Sequence, residues 1–168
     1  MNDFRALCQL RRSIRKFSSR PVEQEKLDYI VQCGLMSPSA KRLNPWEFTV
    51  LTDPNKIHLL ASAKTYGGQM MATATAAIVI ALDTSLTDTW MADGAIAAEN
   101  IMLAAAEQGL GSCWCHIYQR ESSEALVKEV AQIPEELSVL CVLALGYKDE
   151  ERRPRELAEL PYDKVHYV

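Results

Sequence analysis

Apolar residues along this chain recur with two different periods, and stretches of each alternate. From residues 3 to 12 the apolar positions Phe4, Leu7 and Cys8 follow a helical spacing. Pro21 followed by Glu23 and Glu25 predicts a second helix start, with Leu27, Ile30 and Val31 as its buried face and Gly34 as its stop. The segment S-P-S-A-K-R-L-N-P (37 to 45) reads as a loop from its Pro, Ser and Asn content. Trp46 to Leu51 predicts a strand with Trp46, Phe48 and Val50 on one side. Asp53 then Pro54 predicts an N-cap and a first helical residue, opening a helix to about Lys64 that Gly67-Gly68 breaks. Ala76 to Leu82 is a continuous apolar run of strand length, a buried strand. A short extended stretch, S-C-W-C-H-I, follows Gly109 and Gly111. Glu124 to Val130 predicts a helix, and Ser138 to Leu145 a strand stopped by Gly146. From Tyr147 the chain turns polar and ends in a tail, with Val165 and Val168 beyond the last predicted element.

One helix breaks the amphipathic rule. Met91 to Gln108 is apolar on nearly every face, from Ala95 and Ile96 to Ala106, and would form a rod of roughly 27 Å. Such a helix must be covered on all sides, which a chain of 168 residues has difficulty doing alone. A subunit interface is expected; a central core helix in a monomer is the alternative. Strands separated by helices without a regular βαβ repeat predict an α+β sandwich over a doubly wound sheet. No repeat, low-complexity tract or linker interrupts residues 1–168, so a single domain is expected.

Composition narrows the class. An apolar fraction of 48% and a charged fraction of 24% are those of a globular protein. No apolar run reaches the roughly 18 residues of a transmembrane helix. The opening M-N-D-F-R-A-L lacks a signal-peptide pattern. A cytoplasmic protein is expected, with no membrane partner. Five scattered cysteines suit reduced thiols. Cys113 and Cys115, if extended, are expected on opposite faces, a poor geometry for shared ligation. None of His58, His116 and His166 has a zinc-type spacing, so no metal site is expected. G-L-G-S-C-W follows a helix and is not a dinucleotide fingerprint. No phosphate-binding P-loop or G-x-S-x-G motif occurs. No basic stripe of the kind nucleic acids require extends along the chain.

Charge changes the picture at one place. The formal net charge is −4, yet five of the ten residues from Arg11 to Arg20 are cationic: Arg11, Arg12, Arg15, Lys16 and Arg20. Like charges this close repel unless an anion offsets them, and the planar fork of Arg suits phosphate. Ser13 adds a hydroxyl, and Ile14 and Phe17 offer apolar anchors. A small phosphorylated ligand is one reading; a solvated basic turn is the other.

Four segments in order then carry a resemblance: R-R-S-I-R-K-F (11 to 17), S-P-S-A-K-R-L-N-P-W-E-F (37 to 48), A-A-E-Q-G-L-G-S-C-W (105 to 114) and L-A-L-G-Y-K (143 to 148). Together they resemble the nitroreductase family of flavin mononucleotide (FMN) enzymes in its short-subunit form. The resemblance implies a mainly antiparallel central sheet flanked by helices. It also implies a homodimer with FMN sites at its interface and a C-terminal tail that adds a strand to the partner's sheet. Arg11, Arg12, Ser13 and Arg15 would meet the FMN phosphate, ribityl chain and pyrimidine edge. Pro38, Ser39, Ala40 and Asn44 would reach the other subunit's FMN, Asn44 standing where Gln is usual. Arg42 departs from a common Asn and would replace an amide contact or favour an anionic substrate. Trp114, Cys115 and His116 would run beside the flavin ring and give it a backbone N–H, although Trp114 and Cys113 read more simply as core. His116 would be at most a proton donor. Gly146 and Tyr147 would end a strand near the cofactor, and Arg153 or Arg155 would complete the phosphate site.

The implied activity is transfer of hydride from NADH or NADPH through flavin to an acceptor such as a nitroaromatic or quinone, in a ping-pong cycle. Alternatives are a non-catalytic FMN store or sensor, or a reductase of this fold for enones or halogenated phenols. Since FMN carries the chemistry, no catalytic side chain is required. Specificity is expected in segments 62–75 and 84–92, which would roof the flavin.

Overall fold

The computed structural model describes residues 3–64 and 67–168; Met1 and Asn2 of the leader reading, and positions 65 and 66 of the expected roof segment, lie outside the described residues. Among the described residues four strands form one sheet: β1 (Trp46–Leu51), β2 (Ala76–Leu82), β3 (Gly111–His116) and β4 (Ser138–Gly146). Their order is β1-β2-β4-β3, and every pairing is antiparallel. The helices α1 (Phe4–Leu10), α2 (Gln24–Leu35), α3 (Pro54–Leu59), α4 (Trp90–Glu107) and α5 (Glu121–Ala131) cover its two faces. This is the expected α+β sandwich.

The strand pattern explains the layering. Every residue of β2 is buried. Ile78, Ile80 and Leu82 meet α2 and α4 on one side. Ala77, Val79 and Ala81 meet α3 and α5 on the other. A strand covered on both faces loses its polar alternation, hence the unbroken run A-A-I-V-I-A-L. At the sheet edge β1 keeps a half-exposed pattern, with Trp46, Phe48 and Val50 on the α2–α4 side. Asp3 caps α1 by accepting from the Arg5 N–H. Asp53 caps α3 through the Asn55 N–H, with Pro54 at the first position. Past Leu59 the helix tightens into a 3-10 turn, Leu60–Ala63, which carries it nearly to the expected end.

Three expectations change. Gly34 does not stop α2, which runs on to Leu35. A Cβ at Gly34 would lie 2.7 Å from Ile101 Cγ1 and 3.0 Å from Phe48, so this glycine lets α2 approach α4 and β1. Cys113 and Cys115 share one face of β3, because residues i and i+2 of a strand point the same way; both are buried on the α3–α5 side, with Trp114 opposite. All five cysteines are free, and no group of three His, Cys, Asp or Glu among the described residues could hold a metal.

The third change concerns α4, which is both core and surface. Asp93, Gly94, Ala97, Ala98, Ile101 and Ala105 are buried within the protomer. Met91, Ala92, Ala95 and Ile96 are exposed. Residues 151–168 are exposed throughout and contain only two 3-10 turns, Leu157–Glu159 and Tyr162–Lys164. The exchanged tail strand therefore has no counterpart within one chain. No helix among the described residues is long and apolar enough to cross a membrane.

Candidate functional site

The basic segment is threaded along the sheet edge. Ile14 and Phe17 are buried. The Ile14 N–H donates to the Ser112 carbonyl at 2.9 Å, and the Ser18 N–H to the Tyr147 carbonyl at 2.9 Å. Ser13 bridges to Ser112, at the start of β3. With two apolar anchors turned in, Arg12, Ser13 and Arg15 turn out onto a cleft of about 220 Å3, whose far wall is Arg152 and Arg155. No carboxylate lines it among the described residues. Four arginines and one serine line it; the Arg152 guanidinium is held by Glu150 and that of Arg12 donates to the Arg153 carbonyl. That donor set fits phosphate, whose oxygens accept the paired N–H groups of Arg and offset the crowded charge.

The wall residues are held by their backbones. The Arg155 N–H donates to the Gln9 carbonyl at 3.0 Å, and Gln9 Nε2 returns a bond to the Arg155 carbonyl at 2.8 Å. Glu150 accepts from the Arg15 N–H at 2.5 Å and pairs with Arg152 at 2.9 Å. The Arg15 N–H, and then Arg152, hold its carboxyl below the usual range. Two of the sequence candidates do not line the cleft. Arg11 pairs with Glu99 of α4 at 3.1 Å and is largely buried. Arg153 is taken up by Glu156 at 3.1 Å and by Glu159, while its carbonyl accepts from Arg12. Of the two late arginines it is Arg155 that faces the cleft. Arg152 was missed; acidic neighbours masked it, and nothing in the spacing shows that the chain folds back.

β3 continues from the cleft. Trp114 and His116 project from one face and stack, with centroids 6.4 Å apart and planes 13° from parallel. Cys115 points the other way, its thiol donating to the Gly67 carbonyl at 3.4 Å. Beyond Ser112 no strand covers the outer edge of β3 among the described residues, so alternate backbone N–H groups, those of Trp114 and His116 on the side where the Ser112 carbonyl meets Ile14, face outward. Burial pushes the His116 imidazole below its usual value, and Lys64 and Arg120 push the same way. Gly146 ends β4 opposite Gly111. A Cβ there would come within 3.1 Å of Phe17, so Gly146 serves the seat of the basic segment. Tyr147 donates to Glu23 at 2.6 Å, accepts from Lys26 at 2.9 Å and lies under Arg20 at 4.0 Å.

The loop after α2 forms a second constellation. Ser39 Oγ accepts from the Asn44 N–H at 2.9 Å and donates to Asn44 Oδ1 at 2.8 Å. The Ala40 N–H donates at 3.1 Å to Asp93, a buried carboxylate in the first turn of α4. Lys41, Arg42 and Asn44 have φ of 52°, 59° and 47°, left-handed values that L-residues rarely adopt. Pro38 and residues 41–44 are exposed. Within one protomer this loop does not line the arginine cleft. A separate apolar groove of about 250 Å3 has Phe4, Cys33, Met36 and Leu103 in its walls.

Comparison with known proteins bears on the fold and the family. The family model described as "Nitroreductase family" matches residues 9–64 and 56–147. A protein of Archaeoglobus fulgidus, provisionally named an NADH dehydrogenase/NAD(P)H nitroreductase, is 36% identical over 156 residues, spanning 90% of this chain and 89% of its own. The NADPH-flavin oxidoreductase of Vibrio harveyi is 31% identical over 175 residues, spanning 93% of this chain and 71% of its own. The solved FMN-dependent nitroreductase of Clostridium difficile superposes with a TM-score of 0.92 at 39% identity, covering 96% of this chain and 97% of that one. The chain belongs to the nitroreductase family.

Proposed function

We propose that the protein is an FMN-dependent NAD(P)H oxidoreductase, a single domain over residues 1–168 working as a cytoplasmic homodimer. The observation that carries this reading is the cleft in which Arg12, Ser13, Arg15, Arg152 and Arg155 converge with no carboxylate in its lining among the described residues. Those five groups hold the FMN phosphate. Arg11, bound to Glu99, fixes the basic segment to α4. The open edge of β3 at Trp114 and His116 supplies backbone N–H groups to the ring, and Gly146 seats Phe17 beneath. When bound, FMN supplies hydride acceptance and delivery, so the protein contributes binding, orientation and electrostatics.

Two copies complete the site. Phe4 and Met36 are exposed beside one apolar groove, Met91 and Ile96 are exposed on α4, and large apolar side chains left open in this number mark a surface that meets another chain. Closing it brings Pro38, Ser39, Ala40 and Asn44 of each copy to the other's flavin, and gives the tail a partner's sheet to join. NADH or NADPH and the acceptor, a nitroaromatic or quinone, occupy the same space in turn. His116, held toward its neutral form, leaves proton supply to solvent.

Absorbance of the purified protein tests the reading, followed by anaerobic titration with NADH and NADPH. The expected result is a yellow protein that releases FMN on heating and bleaches with either donor. Recovery of FAD, or of no flavin, overturns it.

A further inference from the structure

A second open cleft lies apart from the one lined by arginines. It measures about 800 Å3 and lies at the start of α5, lined by Ser62, Ala63, Lys64, Gln119, Arg120, Ser122 and Ser123. Three features make it an anion cradle. First, α5 has no side-chain cap at Arg120, and the N–H groups of Glu121, Ser122 and Ser123 have no acceptor among the described residues. Uncapped N–H groups carry the positive end of the helix dipole. Second, Ser123 is only 6% exposed, lines the cleft, and its hydroxyl has no hydrogen-bond partner among the described residues. Its residue is otherwise enclosed, so the hydroxyl opens onto the cleft alone and is free to donate to or accept from a ligand there. Third, Lys64 and Arg120 face this space without an ion pair among the described residues, while Arg11, Arg20, Lys128, Arg152 and Arg153 are all paired. The acids nearby do not compensate: Glu124 turns away to the Val139 N–H at 2.8 Å, and Glu121 does not line the cleft.

The position is informative. The arginine cleft adjoins Ser112 at the start of β3, whereas Lys64 and Arg120 both act on His116 at its end. Four residues of strand separate the two, about 13 Å at 3.3 Å per residue. A molecule lying along the open edge of β3 thus has a cationic cleft near either end of the strand.

We propose that the cleft between Lys64 and the first turn of α5 binds a phosphate group of the pyridine nucleotide, through Lys64, Arg120, the Ser123 hydroxyl and the free N–H groups of residues 121–123. Three backbone donors, a hydroxyl and two cations match the several acceptor oxygens of a phosphate better than the two of a carboxylate. The choice of nucleotide rests on the oxidoreductase reading; the affinity for phosphate does not.

The test uses isotope-labelled holoprotein titrated with inorganic phosphate and followed by amide NMR. The resonances of Glu121, Ser122 and Ser123 are expected to shift. Lys64→Gln with Arg120→Gln, both at the surface, is expected to raise the apparent Kd roughly tenfold or more, as loss of charge-assisted bonds does. Lys64→Arg with Arg120→Lys is expected to restore most of it, and Ser123→Ala to cost roughly threefold. In anaerobic stopped flow the Gln pair is expected to raise the Kd for NADPH with the limiting rate of flavin reduction and the flavin content unchanged. A rise for NADPH alone assigns the 2′-phosphate; an equal rise for NADH assigns the pyrophosphate. Unmoved amides at 121–123, or phosphate affinity indifferent to the Gln pair, overturn the proposal. Were the protein to lack flavin, the phosphate titration alone would still decide it.

Discussion

Removing the Arg155 side chain separates a phosphate cleft from a merely basic surface. The backbone of Arg155 is tied to Gln9 by two hydrogen bonds that an alanine keeps, so Arg155→Ala deletes a guanidinium and leaves the wall in place. Charge-assisted hydrogen bonds are worth roughly 1.5–3 kcal/mol. This cleft opens to solvent and three further arginines remain in or near the lining, so the lower end applies, about 1.5 kcal/mol or tenfold in affinity. Arg15→Ala should match it. Arg153→Ala is the internal control: equally basic and two residues away, but already taken up by Glu156 and Glu159. It should leave FMN affinity within about twofold. Arg11→Ala, which frees Glu99, should lower stability more than it lowers FMN affinity. Apo-protein titrated with FMN, followed by flavin fluorescence at two salt concentrations, gives the four dissociation constants. Equal losses at Arg153 and Arg155 would show that overall positive charge, and not the cleft, attracts the ligand.

Three further outcomes follow from the packing and the charges. Ile96→Arg charges the exposed side of α4 and should give a monomer that loses FMN in parallel, read by light scattering beside flavin absorbance; Ala98→Arg, on the buried side, should unfold the chain. Gly34→Val drives a side chain into Ile101, costs about 1–3 kcal/mol and should lower the melting temperature by about 5 °C in calorimetry. His116 should titrate below 6.5 by NMR, and Lys64→Gln should move its midpoint upward. The sign is that of a depressed histidine: its contribution to stability is complete above about 6.5 and is lost as pH falls through the folded value.

The strands were the most legible part of this chain. Trp46–Leu51 and Ala76–Leu82 match their expected limits because buried pairing needs an apolar run of that length and Asp53-Pro54 can only open a helix. The arginine segment was legible because Ile14 and Phe17 anchor a chain whose intervening cations then face out. Contacts between distant segments were not legible. Arg152 reaches the cleft by a fold-back that no local pattern encodes, and Lys64 and Arg120 meet across 56 positions. Gly34 read as a helix stop because a glycine that admits a neighbouring helix looks the same in sequence as one that ends a turn. Asp93 did leave a trace, as a carboxylate in the first turn of an otherwise apolar stretch, and it accepts from the Ala40 N–H.

The left-handed residues of the 39–44 loop bear on how this enzyme can change. Lys41 and Arg42 each hold a backbone conformation costing an L-residue roughly 1–2 kcal/mol, whereas Asn44 is already of a type that tolerates it. Glycine, and to a lesser degree asparagine, escapes that cost. A mutation from Lys41 or Arg42 to either therefore removes a charge and relaxes the chain at once. Most routes to altered specificity lose stability; here the two move together. The loop is a place where a lineage can exchange one electrostatic preference for another without first acquiring a compensating mutation in the sheet.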